Sequence, residues 1–507
     1  MSTSVIVTLV ILALYLVGMG ILGSLPGRNI KENSMENYHM GGRQFKTFLL
    51  FCAVFGTNIS AVAMVGAPGQ AYHQGWTVWP YYATSWAWLT PLFFYFIGKR
   101  AWALGKKFGI MTQADVVGER WGSNSLAYLV SIFTTLYTIP YIMLGAIGGG
   151  QVLSGLTGNT IPFWLGALII TSIVTFYVSF GGMKGTVWTN AAQVVIFMIG
   201  IIYIFGLVLS ALGGPSGATE AIMAKAPHLL DRSKMPPQVF FSFGILIALA
   251  VPMFPQVFSR LLIASTPKQL KKMILIYPLA GAFVWFVVTY IGMWGSVLIP
   301  GLEGTQSEKI IPMFLAQYGS LISVGILGAV LLAAAMSTMD AQLLTVDTMI
   351  VKDFLSKQAA VKSEGEGKKV WYSRVIVLVV AAVAYVLALI QPGSILSVIN
   401  WIAGGYASLM VIMIAALYWK RCTKEGALAS LLVAQIIVLG SYVGIIPKSI
   451  NFGMLPGLSA IIIGAIVLIA VSLFTAPQSQ DQSTRFFSVF EDESQTSVVP
   501  DEKNITA

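Results

Sequence analysis

Thirteen apolar stretches, each about 20 residues long, constrain the fold of this chain more than any other feature. They lie near residues 5–25, 47–72, 76–98, 126–152, 162–180, 187–212, 238–263, 273–299, 318–347, 372–391, 394–418, 427–446 and 454–475. Only 10% of the residues are charged, whereas a soluble protein carries about 25%. A stretch of this length crosses the hydrocarbon core of a bilayer as an α-helix. We therefore predict an all-α integral membrane protein with thirteen transmembrane helices, surrounded by a lipid bilayer.

The basic residues are distributed unevenly between the predicted loops. Of the 30 Lys and Arg residues, 25 fall in alternate loops, beginning with residues 26–46, and in the C-terminal tail. Cytoplasmic loops carry an excess of positive charge, so we expect an extracellular N-terminus and a cytoplasmic C-terminus in the plasma membrane. This asymmetry requires an odd number of spans. The net charge of +10 is therefore a topology signal and implies no nucleic-acid partner.

The second span, which includes VFGTNISAVAMVGAPGQAY at residues 54–72, is interrupted by polar and helix-weakening residues. Asn58 and Ser60 lie inside it, and Pro68 follows closely. Irregular backbone at membrane depth is tolerated only where it is buried in protein or lines a cavity. By itself the pattern fits equally a binding site for something polar and a kinked helix whose small residues allow close packing.

The seventh span, near residues 238–263, carries Pro252 and Pro255 and is interrupted in a similar way. The second span opens a block of five spans that ends near residue 212, and the seventh opens another that ends near residue 418. Because five is odd, the two blocks have opposite orientations in the membrane. Interrupted segments in corresponding positions of inverted halves indicate the midplane site of a transporter. Since proline is common in membrane helices, a chance match is the alternative, and we favour the transporter.

These observations divide the chain into six segments. They are an N-terminal helix and cytoplasmic loop (1–46), a first inverted repeat (47–212), an extracellular loop (213–236), a second inverted repeat (237–419), two C-terminal helices (420–475) and a cytoplasmic tail (476–507). The tail is rich in Ser, Gln, Asp and Glu and lacks apolar helical periodicity. We expect the tail to be disordered, because it offers too little apolar surface to offset the entropy of ordering.

The ninth span contains AAAMSTMDAQLL, which gathers oxygen-bearing side chains on one helix face. The hydroxyls of Ser337 and Thr338 are suitable ligands for a hard cation, and carbonyls freed by the broken second span would complete a sodium site. The alternative is that both hydroxyls bond back to their own helix. Asp340 is a functional candidate because a charge within a span costs a few kcal/mol; it lines an inner vestibule or tunes the cation site. Asp347, beside Lys352, is expected to be solvated or salt-bridged.

Candidate solute ligands rest mainly on their position in the spans. The amide of Asn58 offers both donors and an acceptor, and it either contacts the solute or holds the break open by satisfying loose backbone groups. The other candidates lie in or near spans that are expected to face the cavity: Ser60, Tyr137, Tyr141, Phe254, Asn400 and Trp401. An aromatic residue on such a helix is more often part of the core.

Several segments taken together resemble the sodium/solute symporter family, which includes proline and pantothenate permeases and the sodium–glucose cotransporters. The resemblance covers roughly residues 5–446 and rests on ENYHMGGRQF, NIS followed by VGAPGQAY, FGGMKGTVWTNAAQ, PQVFSRLLIASTPKQLKK and AAAMSTMDAQLL. It implies a LeuT-like core of two inverted five-helix repeats, with one extra N-terminal and two extra C-terminal helices. It also implies sodium as the coupling ion.

The resemblance further implies a sodium site between the second and ninth spans. Carried over by position, its ligands are the carbonyls of Gly56, Ile59 and Ala334 and the side chains of Ser337 and Thr338. One position departs from the family pattern, because many members have an aspartate where this chain has Asn190. In some relatives that acid assists a second sodium ion or the exit route of the ion. The neutral amide weakens the expectation of a second sodium, and Asp340 is the candidate to compensate.

The leading hypothesis is sodium-coupled symport of a small organic solute by alternating access. Because MSTMDAQLL is closest to permeases for small carboxylates and vitamins, the expected solute is a monocarboxylate, a vitamin or an amino acid. A second hypothesis keeps the fold but couples transport to protons through Asp340. A channel and an intramembrane enzyme are the remaining classes, yet no selectivity filter repeats, and three His and two Cys offer no catalytic constellation. The oligomeric state is left open.

Overall fold

The computed structural model describes residues 3–28, 34–60, 62–231, 233, 235–357, 363–390, 395–451 and 453–496. Its helices in chain order are α1 (Thr3–Arg28), α2 (Met35–Met40), α3 (Thr47–Asn58), α4 (Ala67–Gln74), α5 (Val78–Tyr82), α6 (Thr90–Phe108), α7 (Gln113–Trp121), α8 (Asn124–Leu156), α9 (Phe163–Ala211), α10 (Gly214–Lys225), α11 (Pro237–Ala250), α12 (Pro255–Leu262), α13 (Pro267–Leu298), α14 (Ile310–Tyr318), α15 (Leu321–Thr348), α16 (Glu366–Ile390), α17 (Ile395–Tyr418), α18 (Lys424–Val443), α19 (Pro456–Phe474) and α20 (Gln480–Thr496). Within the described ranges, β pairing is limited to an isolated bridge between Phe45 and Ala264.

The long helices are those of a multi-pass membrane protein. Over the described ranges, nine helices are long and apolar enough to cross a membrane, and eleven if each of two bent helix pairs counts as one span. The predicted all-helical membrane architecture is therefore confirmed. The count of thirteen spans and the inverted arrangement of the repeats stay predictions.

Helix α9 contains two of the predicted spans, 162–180 and 187–212, in one element of 49 residues. A straight helix of that length would measure about 70 Å, more than twice the hydrocarbon thickness of a bilayer. The backbone leaves helical geometry at Gly182, where φ is 53° and ψ is −148°. A side chain at this φ would be strained, so glycine permits the turn between the two halves.

Both predicted interruptions are confirmed as bends of 55°. Helix α3 ends at Asn58, Ile59 is extended, and the chain resumes in a π-helical turn, Val62–Gly66, that leads into α4. Helix α11 passes through a 3₁₀ turn, Val251–Met253, to an extended Phe254, after which α12 begins at Pro255. Pro252 and Pro255 flank the second break, whereas the first break falls at Ile59 and Ser60, between Gly56 and Pro68.

The beginning of α3 and the end of α12 are joined to each other. The Phe45 N–H donates to the Ile263 carbonyl at 3.3 Å, and the Ser265 N–H donates to the Phe45 carbonyl at 3.1 Å. The Trp102 indole N–H of α6 donates to the Ala264 carbonyl at 2.7 Å. These bonds connect α3 to α12, so the halves of the two broken helices at this end of the bundle are linked to each other.

Helix α15 lies at the centre of the bundle and packs against α1, α3, α8 and α9. It approaches α8 closely at Gly145, where an added Cβ would lie 2.9 Å from Cβ of Met339. Helix α3 approaches α9 at Gly56, where an added Cβ would lie 2.9 Å from a methyl group of Val194. Small residues at these crossings let the helices approach until backbone groups meet side chains of the partner.

The prediction of a disordered tail over residues 476–507 is wrong for residues 480–496, which form helix α20. Its buried Phe486 and Phe487 lie against α7 and the α17–α18 loop, and the Arg120 guanidinium lies 4.9 Å from the Phe487 ring centroid. Arg485 forms an ion pair of 2.9 Å with Glu119 of α7. The polar composition of the tail concealed one short apolar face that finds a partner surface. Residues 497–507 lie outside the described residues.

Candidate functional site

The end of α3 meets α15 through hydroxyl–carbonyl contacts. The Ser337 hydroxyl donates to the Gly56 carbonyl at 2.8 Å, and the Thr338 hydroxyl donates to the Thr57 carbonyl at 2.9 Å. Both hydroxyl residues are buried. The last carbonyls of a helix lack intrahelical partners, which is why the break makes these oxygens accessible to side chains of α15. Four oxygens from two helices converge here.

The structure brings together most of the predicted sodium ligands. Ser337 also lies 3.2 Å from the Ala334 carbonyl, so the hydroxyl contacts its own helix as well as α3. Ile59 follows the end of α3 and donates its N–H to the Phe55 carbonyl at 2.8 Å. Thr57, which the sequence analysis did not assign to the site, supplies the carbonyl that meets Thr338. Its place in the polar run TNIS was the available signal.

Asn190 reaches the break from α9. Its side-chain N–H donates to the Thr57 hydroxyl at 3.2 Å, while its buried amide oxygen has no hydrogen-bond partner among the described residues. The neighbouring residue, Thr189, donates its hydroxyl to Asp340 at 3.1 Å. Two adjacent residues of α9 therefore connect the break in α3 to Asp340.

Asp340 is fully buried at the interface of α15 and α9. One carboxylate oxygen accepts hydrogen bonds from the Tyr177 hydroxyl at 3.0 Å and from Thr189. The other oxygen has no hydrogen-bond partner within the described part of the chain. Asp340 thus lies behind the hydroxyl pair of α15, with spare acceptor capacity.

Arg260 supplies a buried positive charge that the sequence analysis did not single out. Its guanidinium donates to the Thr186 hydroxyl of α9 at 3.3 Å and to the Gln256 carbonyl at 3.2 Å. It also interacts electrostatically with Asp340. A buried charge needs a counter-charge and hydrogen bonds, and Asp340 and Arg260 meet part of that need for each other.

Asn58 is engaged by aromatic residues of neighbouring helices. Its amide oxygen accepts from the Trp86 indole N–H at 3.0 Å, and its amide N–H pairs with the Tyr277 hydroxyl. Of the two roles left open by the sequence, the contacts favour the structural one, because both ends of the amide are bonded to protein. The pair of contacts fixes the break against α13 and against the π-helical segment Ala83–Leu89, which precedes α6.

Ser60, Tyr141 and Phe254 lie together at the two breaks. The Tyr141 ring packs edge-on against Phe254 at a centroid distance of 5.3 Å, and its hydroxyl is directed at the Ser60 side chain. The Ser60 hydroxyl accepts from the Val62 N–H at 3.1 Å and so supports the chain where α3 has ended. This group joins α8, the break after α3 and the break before α12.

The remaining solute candidates lie farther along the bundle. The Tyr137 hydroxyl bonds to Gln435 of α18, and the Trp401 ring lies 5.3 Å from the Tyr137 ring and stacks on Tyr442 at 4.7 Å. Asn400 is half-buried beside them. These contacts are helix packing between α8, α17 and α18, which is the alternative that the sequence analysis gave for aromatic residues.

A second polar contact closes one end of the bundle. His39 of α2 forms a hydrogen bond of 2.8 Å with the Asp347 carboxylate of α15, and both side chains are fully buried. Ser373 of α16 lies 3.3 Å from the same His39 nitrogen. Asp347 is therefore paired, but its partner is His39, whereas Lys352 pairs with Asp115 at 3.2 Å. Helix α2, which leads into α3, is tied to the central helix by this pair.

The fold is that of a broken-helix secondary transporter. It matches the solved structure of a Na⁺-coupled sialic acid symporter in a substrate-bound outward-open state, with a TM-score of 0.79, 18% identity, and coverage of 94% of this chain and 99% of that one. The transporter Mhp1, in a closed conformation, matches with a TM-score of 0.62, 15% identity, and coverage of 90% and 99%.

The chain belongs to the sodium:solute symporter family, whose model matches residues 38–434. It is 27% identical to the sodium/pantothenate symporter of Haemophilus influenzae, over 87% of this chain and 90% of that protein. It is 24% identical to the sodium/proline symporter of Escherichia coli, over 96% of both. The resemblance inferred from the sequence motifs is confirmed, and with it the assignment to membrane transport by symport.

Proposed function

We propose that this protein imports a small organic solute together with sodium by alternating access. The observation that carries the proposal is the contact of the Ser337 and Thr338 hydroxyls with carbonyls at the break of α3. Hydroxyl and carbonyl oxygens suit a hard cation, and irregular backbone at the midplane is where coupling ions bind in broken-helix transporters. The proposed sodium ligands are the carbonyls of Gly56, Ile59 and Ala334 with the side chains of Ser337 and Thr338.

Sodium would replace direct hydrogen bonds with shared coordination. In the described arrangement each hydroxyl donates its hydrogen to a carbonyl of α3. When the ion is coordinated, the same oxygens point their lone pairs at it and the hydroxyl hydrogens turn away. The ion then fixes the position of the break relative to α15. Because the break also bounds the solute cavity, each ligand stabilises the binding of the other, typically by about 1–3 kcal/mol.

The solute site is proposed at the junction of the two breaks, where Ser60, Tyr141 and Phe254 meet. Asn58 shapes this site by holding Trp86 and Tyr277. The proposed solute is a small monocarboxylate, a vitamin or an amino acid. Relatives that include sodium/pantothenate and sodium/proline symporters support this range. We place the N-terminus outside the cell and the C-terminus in the cytoplasm.

Alternating access requires the contact between α2 and α15 to open. In the proposed orientation the buried His39–Asp347 pair lies at the cytoplasmic end, and it joins the segment leading into α3 to the central helix. Since α3 and α12 are connected at this end, parting of the pair would release both broken helices together. We therefore assign the pair to the cytoplasmic gate.

Proton coupling through Asp340 is the second candidate. The specific observation in its favour is the buried carboxylate oxygen that has no hydrogen-bond partner in the described chain. Asn190 is neutral and cannot bind a proton. Asp340 of α15 is therefore the side chain proposed to carry the proton in this region. Its contact with Thr189 places it one residue from Asn190 along α9, so it is also the proposed group for a second ion or for the exit route.

The test is uptake into proteoliposomes of the purified full-length protein. Inward gradients of sodium, potassium or protons would be compared for pantothenate, proline and lactate. Accumulation that requires the sodium gradient is expected for at least one solute. Uptake driven equally by a proton gradient in sodium-free buffer, and abolished in Asp340→Asn, would favour the second candidate instead.

A further inference from the structure

Besides Asn190 and Asp340, buried polar side chains on α8, α12 and α15 have unsatisfied groups near the breaks. The amides of Gln256 on α12 and Gln342 on α15 have neither their nitrogen nor their oxygen in a hydrogen bond with the described residues. The Tyr141 hydroxyl on α8 interacts with the Ser60 side chain but makes no hydrogen bond of normal geometry with the described residues. All three residues are at most 1% exposed. Unpaired amides in a membrane interior are costly, so such groups indicate a place where a polar ligand is bound.

Tyr141 and Gln342 lie at the same depth in the bundle. Helices α8 and α15 run antiparallel, as shown by contacts of Leu156 with Gly328 and of Gly145 with Met339. Moving four residues from Gly145 to Tyr141 is a step of about 6 Å, and moving three from Met339 to Gln342 is a step of about 4.5 Å in the same direction. The two side chains are therefore level to within about one residue.

Gln256 lies at this depth as well. It is the second residue of α12, immediately after the break, and Phe254 of that break contacts the Tyr141 ring at 5.3 Å. Gln342 follows Thr338 by one helical turn, so it continues the face of α15 that meets α3. Helix α12 packs against both α3 and α15. The three side chains thus lie at similar depth on helices that pack around the two breaks.

We propose that Gln256, Gln342 and Tyr141 form a neutral polar subsite that binds a carboxamide group of the solute. The proposal rests on the proposed function and narrows its solute class to acids that carry such a group. Two side-chain amides and a phenol offer donors and acceptors but no charge. A carboxamide matches them because it is itself neutral and presents both an N–H and a carbonyl. The carboxylate of the solute would lie outside this subsite.

A matched series of three acids tests the subsite. N-Acetyl-β-alanine has the amide, 5-oxohexanoate replaces its N–H by a methylene, and hexanoate also lacks the carbonyl. Each probe is titrated into the purified full-length protein in sodium buffer, and the shift of its thermal unfolding gives an apparent affinity. We expect the amide acid to bind about tenfold more tightly than hexanoate, with the ketone between them, because unmet hydrogen bonds of a buried site reject analogues that lack the partner group.

Volume-conserving variants provide the controls. Gln256→Met, Gln342→Met and Tyr141→Phe are expected to reduce the ratio of amide-acid to hexanoate affinity to near one, while Gln317→Met, at an exposed amide of α14, keeps it. Each variant is used only if sodium still stabilises it against unfolding. If one fails this check, the remaining variants decide.

The outcomes separate the two proposals. A wild-type protein that responds to sodium but binds the three acids equally, or binds none of them, overturns the subsite and leaves sodium symport standing. Retention of the preference in all of the folded variants overturns the subsite as well. A wild-type protein that sodium does not stabilise contradicts the proposed function itself.

Discussion

The Ser337 hydroxyl donates a hydrogen bond of 2.8 Å to the carbonyl of Gly56, a residue 281 positions earlier in the chain. The neighbouring pair, Thr338 and Thr57, repeats this contact at 2.9 Å. Two consecutive hydroxyls of one helix therefore meet two consecutive carbonyls of another, at the point where that helix stops. The proposed coupling of sodium to the shape of the solute site rests on this arrangement, because an ion bound here would be held by both helices.

Removing the Asn58 amide is expected to destabilise the protein. In Asn58→Ala the Trp86 indole N–H and the Tyr277 hydroxyl lose their partner, and each unsatisfied buried group costs about 1–3 kcal/mol. Thermal unfolding of the purified protein checks this. Asn124→Ala, at the exposed first residue of α8, is the control and should change the unfolding midpoint much less. Equal midpoints for Asn58→Ala and the wild type would contradict a structural role of this amide.

Asp340→Asn separates the two coupling hypotheses. The amide keeps an oxygen that accepts from Tyr177 and Thr189, so the fold and sodium-driven uptake should survive, at a reduced rate, because one charge near Arg260 is lost. Initial rates of uptake under a sodium gradient measure the effect. Complete loss of sodium-driven uptake in a protein that still binds sodium would show that the carboxylate is required in the transport cycle.

The buried His39–Asp347 pair should show strong coupling in a double-mutant cycle. Each single variant, His39→Gln or Asp347→Asn, leaves the other side chain buried without its partner, which costs about 3–5 kcal/mol. The double variant removes both partners, so it is expected to cost less than the sum of the two single variants. Unfolding of the two single variants and the double variant measures the coupling. Lys352→Gln, at the more exposed pair with Asp115, serves as the control and is expected to cost below about 1 kcal/mol. Additive effects of His39→Gln and Asp347→Asn would rule out the gate contact.

Helix α20 is expected to protect the tail from proteolysis. In Phe486→Ala a fully buried ring of the helix is lost, at a typical cost of about 3–5 kcal/mol for a buried phenylalanine, which is enough to undock a short helix. Limited proteolysis followed by mass measurement of the fragments reports cleavage within residues 480–490. Thr484→Ala, on the exposed face, should remain protected. Rapid cleavage of the wild-type tail at these residues would instead support the disordered tail.

The parts of the fold that the sequence predicted well depend on local signals. Pro252 and Pro255 mark the second break directly, and Gly56 and Pro68 flank the first, so both breaks were readable. A proline by itself is not decisive, because Pro140 lies inside the continuous helix α8. The hydroxyl pair of Ser337 and Thr338 was readable because polar groups in an apolar span stand out. Helix α20 was missed because its apolar face is short and is stabilised by Arg100 of α6 and Arg120 of α7, which lie far away in the chain.

The unpredicted parts of the site depend on contacts between distant segments. No residue close to Asn58 in the chain indicates that its amide would form hydrogen bonds with Trp86 and Tyr277, which are 28 and 219 residues away. The pairing of His39 with Asp347 spans 308 residues. Such partners are set by the packing of long helices, and a single sequence carries no direct record of it.

The most direct test of the central claim is the sodium dependence of Ser337→Ala and Thr338→Ala. Each change removes one proposed ligand, and the sodium concentration for half-maximal uptake in proteoliposomes should rise about tenfold or more, which corresponds to about 1.4 kcal/mol or more of lost binding. The control is Thr348→Ala on the same helix, whose hydroxyl donates to its own helix at 2.8 Å and whose loss should leave that concentration unchanged. An unchanged sodium dependence in Ser337→Ala and Thr338→Ala, in protein that folds and transports, would contradict a sodium site between α3 and α15.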